Sequence, residues 1–345
     1  MDAGIRNYKI KLKILSPTYI GSGESYNRCD YIRIGNEVCV LNQNKWIEYL
    51  KETRLLNSFI DQLERYGKNT RIDQWLKLNG KKVEEVEKKC GLIKFQIAKG
   101  EEFKNNDILS FVKNAEGKPY IPGSSIKGAI ISALVGAIAK NNNITNYRDI
   151  QRVKISGISV SDSAAFDTND LEVYKKIDNV VVNNEIKKAS LPIYRECVKS
   201  GAETEFAITI DQYKFNNSFS NLKINNIDIN KIFDVLNEKY NDLFGIDGVI
   251  SKFEKSLDYL PNKANEKGVI ILGGGTSFQT KSIISSIYPS AKEAINATKD
   301  ILNNLRSFKK HKHYLDNPIS PRALKVVNDN GRQVYMGFCK LEVIK

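Results

Sequence analysis

Tyr120-Ile121-Pro122-Gly123-Ser124-Ser125-Ile126-Lys127-Gly128, continued by an apolar run to Lys140, is the stretch around which the chain is organised. Pro122-Gly123 breaks an extended segment, and Ser124 or Ser125 then offers an N-cap hydroxyl to the free N–H groups of a helix start. From Ile126 to Ala139 nearly every position is apolar or small, which predicts a helix buried on most sides. Gly128, Ser132 and Gly136 recur every four residues as a side-chain-poor stripe, open to close approach by another backbone. Lys127 is the only charge before Lys140 and falls in the first turn, where a cation opposes the helix dipole unless an anion sits beside it. N–H groups, serine hydroxyls and a lysine together compose a phosphate site. A core helix with a serine cap and a snorkelling lysine fits the same residues.

Upstream, Tyr8 to Leu15 alternates, with Ile10, Leu12 and Ile14 on one face and Lys9, Lys11 and Lys13 on the other, as a half-buried strand does. Gly21-Ser22-Gly23 allows a tight turn whose N–H groups could meet a phosphate, or serves as a plain flexible turn. Tyr31–Ile34 and Val38–Leu41 read as a hairpin across Gly35-Asn36. Helical spacing through Trp46, Leu50, Phe59, Leu63 and Trp75 marks residues 45–92 as a helical insertion between strands.

Downstream, Val173 to Asn184 reads as an exposed ribbon with basic flanks, and Leu191–Val198 with Thr204–Asp211 as a strand pair around Ser200-Gly201. Two cleanly spaced segments, through Ile229–Leu243 and Ile246–Leu260 on either side of Gly245, predict an αα-hairpin. Gly268–Leu272 is a short strand running into Gly273-Gly274-Gly275-Thr276. Ser290-Ala291-Lys292-Glu293 is a capping box whose helix is expected to run to about Phe308. Strands that alternate irregularly with helices, with frequent hairpins, argue an α+β fold rather than a doubly wound parallel sheet.

The net charge of +13 favours a polyanionic partner, although lysine-rich solvated surfaces also occur without nucleic acid. No uninterrupted apolar run reaches the ~20 residues of a membrane span, and charges interrupt any signal-peptide core in Met1–Lys13, so a cytoplasmic protein with no membrane partner is expected. Five scattered cysteines without a C-x-x-C pair read as reduced thiols, neither zinc ligands nor a disulfide framework.

For chemistry, Gly275-Thr276-Ser277-Phe278-Gln279-Thr280-Lys281-Ser282 matches a P-loop except that Thr280 replaces the second glycine, which the backbone needs to wrap phosphates closely. A glycine loop presenting N–H groups and Lys281 to an RNA backbone fits better, beside a structural strand-end turn. Arg306, Lys309, Lys310 and Lys312, interleaved with Phe308, His311, His313 and Tyr314, form the densest basic-aromatic cluster. The chain's two histidines are both there with no evident third ligand, so neither a metal site nor a cofactor is expected. Asp162, beside Ser161 and Ser163, reads as a strand-end hydrogen-bond acceptor, and no serine or cysteine nucleophile has a recognisable base partner.

The segment Ile121–Gly128 resembles the G-S-S-hydrophobic-K-G signature of the RAMP proteins of CRISPR systems. Leu15–Gly23 is similar to that superfamily's glycine-containing turn, Tyr194–Val198 with Gly201–Phe206 to its middle strand pair, and Leu272–Thr276 to its glycine-rich loop. Motif order and chain size are most similar to the fifth-subunit family of type III-A (Csm) effector complexes. The resemblance implies a RAMP fold with one or two ferredoxin-like (RRM-like) modules and helical insertions. One module is expected over residues 1–215 and a second, with the αα-hairpin and the glycine loop, over 216–345.

It also implies a non-catalytic RNA-binding subunit that grips the 3′ part of a CRISPR RNA and caps the backbone filament, supporting RNA maturation and antiviral defence. Its partners would be that single-stranded RNA, the neighbouring Csm backbone subunit and the small Csm subunit. The RNA-binding set expected from residues and resemblance is Gly21, Ser22, Gly23, Ser124, Ser125, Lys127, Arg195, Gly273, Gly274, Gly275, Thr276, Lys281, Lys309, Lys310 and Lys312, with no catalytic residue. A RAMP endoribonuclease is the alternative, although such enzymes often use an early histidine and none precedes His311 here. A related type III-B subunit would change the complex but not the physics.

Overall fold

The computed structural model describes residues 4–344 except 101–102, 105, 146–149, 151–154, 183–184, 190, 192, 219–225, 262–266 and 289. Strand β1 (Ile5–Ile14) keeps the alternation of its sequence: Ile10, Leu12 and Ile14 are fully buried, while its lysines face out. It pairs antiparallel with β12 (Glu203–Asp211) on one side and β16 (Phe338–Val343) on the other. β7 (Ile158–Val160) extends the sheet beyond β12, and β13 (Val269–Ile271) beyond β16, giving the order β13-β16-β1-β12-β7.

Leaving aside the added edge strand β13, the four others stand in the spatial order 4-1-3-2. The Gly123–Asn141 helix lies between the first and second in the chain, and the Ile229–Phe244 helix between the third and fourth. That is the βαββαβ arrangement of a ferredoxin-like module. Ile126, Ile130, Ile232 and Leu236 from the two helices join Ile10, Leu12, Ile208 and Ile210 in one core, so both helices cover the same face. On the open face Lys9 pairs with Glu205 at 2.6 Å and Lys11 with Glu203 at 3.2 Å. The basic row foreseen on β1 is therefore answered by an acidic row on β12. Such exposed pairs each contribute only ~0–1 kcal/mol.

A second sheet has seven strands: β2 (Gly21–Tyr26), β3 (Tyr31–Ile34), β4 (Glu37–Leu41), β5 (Gly91–Ile97), β6 (Ile108–Phe111), β8 (Leu171–Lys175) and β11 (Tyr194–Val198). Their order is β2-β6-β11-β8-β5-β4-β3, with the β11–β6 and β5–β8 pairings parallel. A third sheet orders β9 (Ile177–Val182), β10 (Glu185–Ala189), β14 (Ala323–Asp329) and β15 (Arg332–Tyr335) as β10-β9-β14-β15. The expected helical insertion forms between β4 and β5 as helices Gln43–Glu52, Leu56–Tyr66, Ile72–Leu78 and Val83–Cys90. Trp46, Tyr49, Phe59 and Trp75 make its core against Ile32, Cys39 and Leu41 of the β3–β4 hairpin.

Several expectations are corrected. The two sheets containing β13–β16 combine strands from both sides of residue 216, so the sheets do not divide there. β11 and β12 enter different sheets instead of pairing with each other. No αα-hairpin forms: after Phe244 only a 3₁₀ turn, Ser251–Ser256, continues. A Cβ on Gly245 or Gly248 would lie 2.5 Å from Asn241 or Leu243 carbonyl oxygens, so the chain folds back against the helix end, where Ile250 N–H donates to Leu243 O. The ribbon beyond β8 is tied into the third sheet through β9 and β14. Ser290 caps its helix, Oγ accepting from Glu293 N–H at 3.3 Å and donating to Glu293 Oε2 at 2.9 Å, but the helix ends at Asn304.

The central helix also starts differently. Gly123 is its first residue, its N–H donates to Asp162 Oδ1 at 2.7 Å, and no cap hydrogen bond comes from Ser124 or Ser125. A Cβ on Gly123 would lie 2.4 Å from Val160 O, so the helix start is pressed against the strand that supplies its carboxylate cap. The small-residue stripe splits: Gly136 packs on Ser286, whereas nothing lies within 4 Å of a Cβ on the exposed Gly128. This helix of 19 residues is the one described helix long and apolar enough to cross a bilayer, and it packs within the core instead.

Candidate nucleic-acid interface

The glycine loop after β13 folds directly onto the segment that follows β1. Gly274 N–H donates to Tyr19 O at 2.7 Å, and a Cβ on Gly273, whose φ is +86°, would sit 2.1 Å from the same oxygen. Behind the loop, a Cβ on Gly275 would lie 2.9 Å from Met336 Sδ and 3.0 Å from an Arg195 guanidinium nitrogen. The segment after β1 and the glycine loop, remote in sequence, therefore touch at Tyr19 and Ile20 because Gly273 and Gly274 have no side chains to hold them apart. Gly21-Ser22-Gly23 is not a free turn: it opens β2, with a register shift against β6 and Gly23 at φ +92°.

The central helix passes beside this junction and turns Ser124, Ser125, Gly128, Ala129 and Ser132 toward it. The result is a cleft of about 610 Å³, lined also by Gly21, Gly23, Gly273, Gly274, Thr276, Thr280 and Lys281. Its walls carry hydroxyls, glycine backbone, a lysine and the apolar Ile20 and Ile271, and among the described residues no carboxylate. Thr276 Oγ1 donates to Gly273 O at 3.0 Å and Thr280 Oγ1 to Ser277 O at 2.9 Å, which fixes the loop's shape. Ser277 N–H donates to Tyr335 Oη at 2.8 Å, so the P-loop lookalike is a braced strand-end turn.

The charge around the cleft is positive. Arg195, buried on β11, stacks its guanidinium 5.4 Å from the Tyr19 ring centre behind the loop. Burial, and then the nearby Arg195 charge, hold the Lys281 ammonium below its ordinary pKa. Burial and the same Arg195 charge lower Lys325 on β14. The neighbouring Glu196 is engaged elsewhere: Lys113 Nζ lies 2.6 Å away and Phe111 N–H 2.8 Å away, while burial pushes its carboxyl up.

Eight residues of the expected RNA-binding set thus line one cleft: Gly21, Gly23, Ser124, Ser125, Gly273, Gly274, Thr276 and Lys281. Gly275 and Arg195 stand behind its wall. The Ser22 hydroxyl hydrogen-bonds the Ser110 hydroxyl across β2 and β6, off the lining. Lys127 is off it too, roughly 130° around the helix from the lining face. Lys310, in the 3₁₀ turn Lys309–His311, and Lys312, between that turn and the next (His313–Leu315), are exposed and apart from the cleft lining; the Lys309 side chain lies outside the described residues.

In that same cluster His313 is buried, its Nδ1 2.8 Å from Asp316 Oδ2, and Ser320 Oγ donates to the same carboxylate oxygen at 2.8 Å. Among the described residues no three His, Cys, Asp or Glu gather as metal ligands, and all five cysteines are free. No motif or spacing pointed to Lys325 or to Lys239, whose ammonium donates to the Ser132 hydroxyl behind the cleft. Alternation between Leu324 and Val326 assigns Lys325 to a solvated face, whereas Lys239 falls seven residues after Ile232 and three after Leu236, at the edge of the helix's apolar stripe.

A family model of the RAMP superfamily matches residues 11–280. The proteins named CRISPR system Cms protein Csm5 from Enterococcus italicus and Streptococcus thermophilus are 30% and 29% identical over 228 and 239 residues, covering 59% and 61% of this chain. The match spans 60% and 65% of the length of those relatives. The Mycobacterium tuberculosis protein of that name is 21% identical over 258 residues, 61% of this chain and 68% of its own. Among solved structures, a chain of a Csm–crRNA–target RNA ternary complex of a type III-A CRISPR-Cas system shares the fold with a TM-score of 0.70. It is 18% identical, over 98% of this chain and 100% of that one. T. onnurineus Csm5 gives a TM-score of 0.61 at 18% identity, covering 96% and 99%. The matched region takes in the glycine segment after β1, the central helix and the glycine loop that meet at the cleft, and the chain belongs to the RAMP superfamily.

Proposed function

We propose that this chain is a non-catalytic RNA-binding subunit of a type III-A Csm ribonucleoprotein, and that the cleft receives the sugar–phosphate backbone near the 3′ part of a CRISPR RNA. The observation that carries the reading is a groove of glycine backbone and hydroxyls, free of carboxylates among the described residues and backed by Arg195, Lys281 and Lys325. Glycines let a polyphosphate chain approach the protein backbone, and the cations supply sequence-independent attraction. Similarity to proteins named Csm5 supports the choice of complex and favours it over a type III-B subunit. In that assembly the neighbouring Csm backbone subunit and the small subunit are the partners, with this chain at the filament's end. Against an endoribonuclease stands the position of the histidines, apart from the cleft lining, with His313 held by Asp316.

The test is an RNA titration of the purified chain across salt concentration, beside Gly128→Glu. Contact with ~4–6 phosphates gives a log–log slope of roughly −3 to −4. Gly128 is exposed with open space around it, so a glutamate there places a carboxylate in the cleft without disturbing packing. Its affinity for RNA is expected to fall at least about tenfold while it melts like the parent. Equal affinity of variant and parent would remove the cleft as the RNA site. A discrete RNA product that disappears in the His311→Ala, His313→Ala double variant would favour the nuclease instead.

A further inference from the structure

Lys239 lies on the Ile229–Phe244 helix where that helix packs on the central one, and it is 9% exposed. Its ammonium donates to Ser132 Oγ, a hydroxyl that lines the cleft. Beside it is a cavity of about 20 Å³, whose walls Ala129, Ile271 and Thr280 are also walls of the cleft. That is room for about one water. The Lys239 ammonium therefore stands one hydroxyl behind the floor of the groove.

The charged groups around it do not satisfy it. Asp242, on the same helix, is bound to Lys140 of the central helix at 3.2 Å. Among the described residues lining the cleft, the one charged side chain is another cation, Lys281. Burial lowers the Lys239 pKa to about 8, against the opposing Asp242 charge. A buried ammonium without a carboxylate is costly, and an apolar side chain of the same length would fill the site at lower cost. A phosphate oxygen in the cleft would supply the missing counter-charge. Ser132 accepts from the lysine and lines the cleft, so its own hydroxyl proton is left to donate to an anion bound there.

We propose that Lys239, acting through Ser132, is a buried phosphate-recognition residue of the cleft, and that RNA binding there draws a proton from solvent onto its amine. The proposal rests on the reading of the cleft as an RNA site. The chemistry balances as R–NH₂ plus a solvent proton giving R–NH₃⁺ beside the phosphate oxygen. The sign follows: the free chain near pH 8 carries Lys239 about half protonated, a bound phosphate raises its pKa, and the complex carries it fully charged.

The test is calorimetric titration of the full chain with single-stranded RNA at pH 8, in two buffers of different ionisation heat. Binding is expected to take up roughly half a proton through this group. In Lys239→Met that increment disappears and affinity falls about tenfold, while the melting temperature stays level or rises because the buried cation is gone. Should Lys239→Met fail to fold, Ser132→Ala on the cleft side keeps the question open to decision, with reduced uptake and weaker binding expected. A parent chain that binds RNA with no proton uptake overturns the role of Lys239 and leaves the cleft reading standing. So does a folded Lys239→Met with the parent's affinity and uptake. A parent that binds no RNA at any pH overturns the cleft reading and Lys239's role together.

Discussion

Gly273 and Gly128 both line the cleft, yet their backbones place opposite demands on the residue. Gly273 has φ +86° and a carbonyl oxygen 2.1 Å from where a Cβ would go, while Gly128 is helical with open space beside it. Gly273→Ala is therefore expected to lose ~2–4 kcal/mol of stability and Gly128→Ala to gain ~0.5–1 kcal/mol, read from denaturant midpoints. A Gly273→Ala chain as stable as the parent would mean that the loop does not press on Tyr19. The sequence announced both glycines but not the difference, because four-residue spacing locates a face without saying what covers it. Asp162 was legible as a hydrogen-bond acceptor; that it accepts from Gly123 N–H follows only from packing that carries the strand beyond β7 to the helix start. Lys239 was silent for the same reason, since an amphipathic helix normally turns such a lysine to water.

At the scale of elements, period and punctuation carried well wherever a segment's fate is local. The β3–β4 hairpin, the capping box and the helical insertion formed where alternation, Ser290 with Glu293, and tryptophan spacing placed them. The αα-hairpin failed because Gly245 and Gly248 allow a reversal so tight that the following apolar residues pack without a helix. The insertion's core is distinct from the core beneath the cleft, with Trp75 packed on Trp46 and Phe59 at ring distances of 6.2 and 5.0 Å. Trp75→Ala removes one of the two tryptophans of that cluster and should cost ~3–5 kcal/mol. Hydrogen exchange is expected to show the insertion losing protection while RNA affinity stays within about twofold. An equal loss of both would tie the insertion to the RNA site.

At the scale of the whole molecule, the α+β class and a ferredoxin-like module were legible, but the assignment of modules to consecutive halves was not. Local periodicity cannot report that the last strand returns to pair with the first, although adjacency in sequence usually predicts adjacency in space. β16 pairs with Ile10–Ile14 of β1, and the Ile229–Phe244 helix packs over the same buried face. A fragment of residues 1–215 lacks both. It would leave the edge of β1 unpaired and expose Ile10, Leu12 and Ile14, an arrangement that invites association and forfeits the module's core. The fragment 216–345 would carry β13 and β16 without their central strand. Neither piece alone is therefore expected to give a cooperative thermal transition, whereas the two expressed together should recover one, because the missing surfaces are complementary. A cooperative melt of 1–215 by itself would show that the sheet does not need its C-terminal strand. The cleft would then have to be explained without it, since the glycine loop stands directly after β13 and reaches the first glycine segment only when β13 is seated on β16.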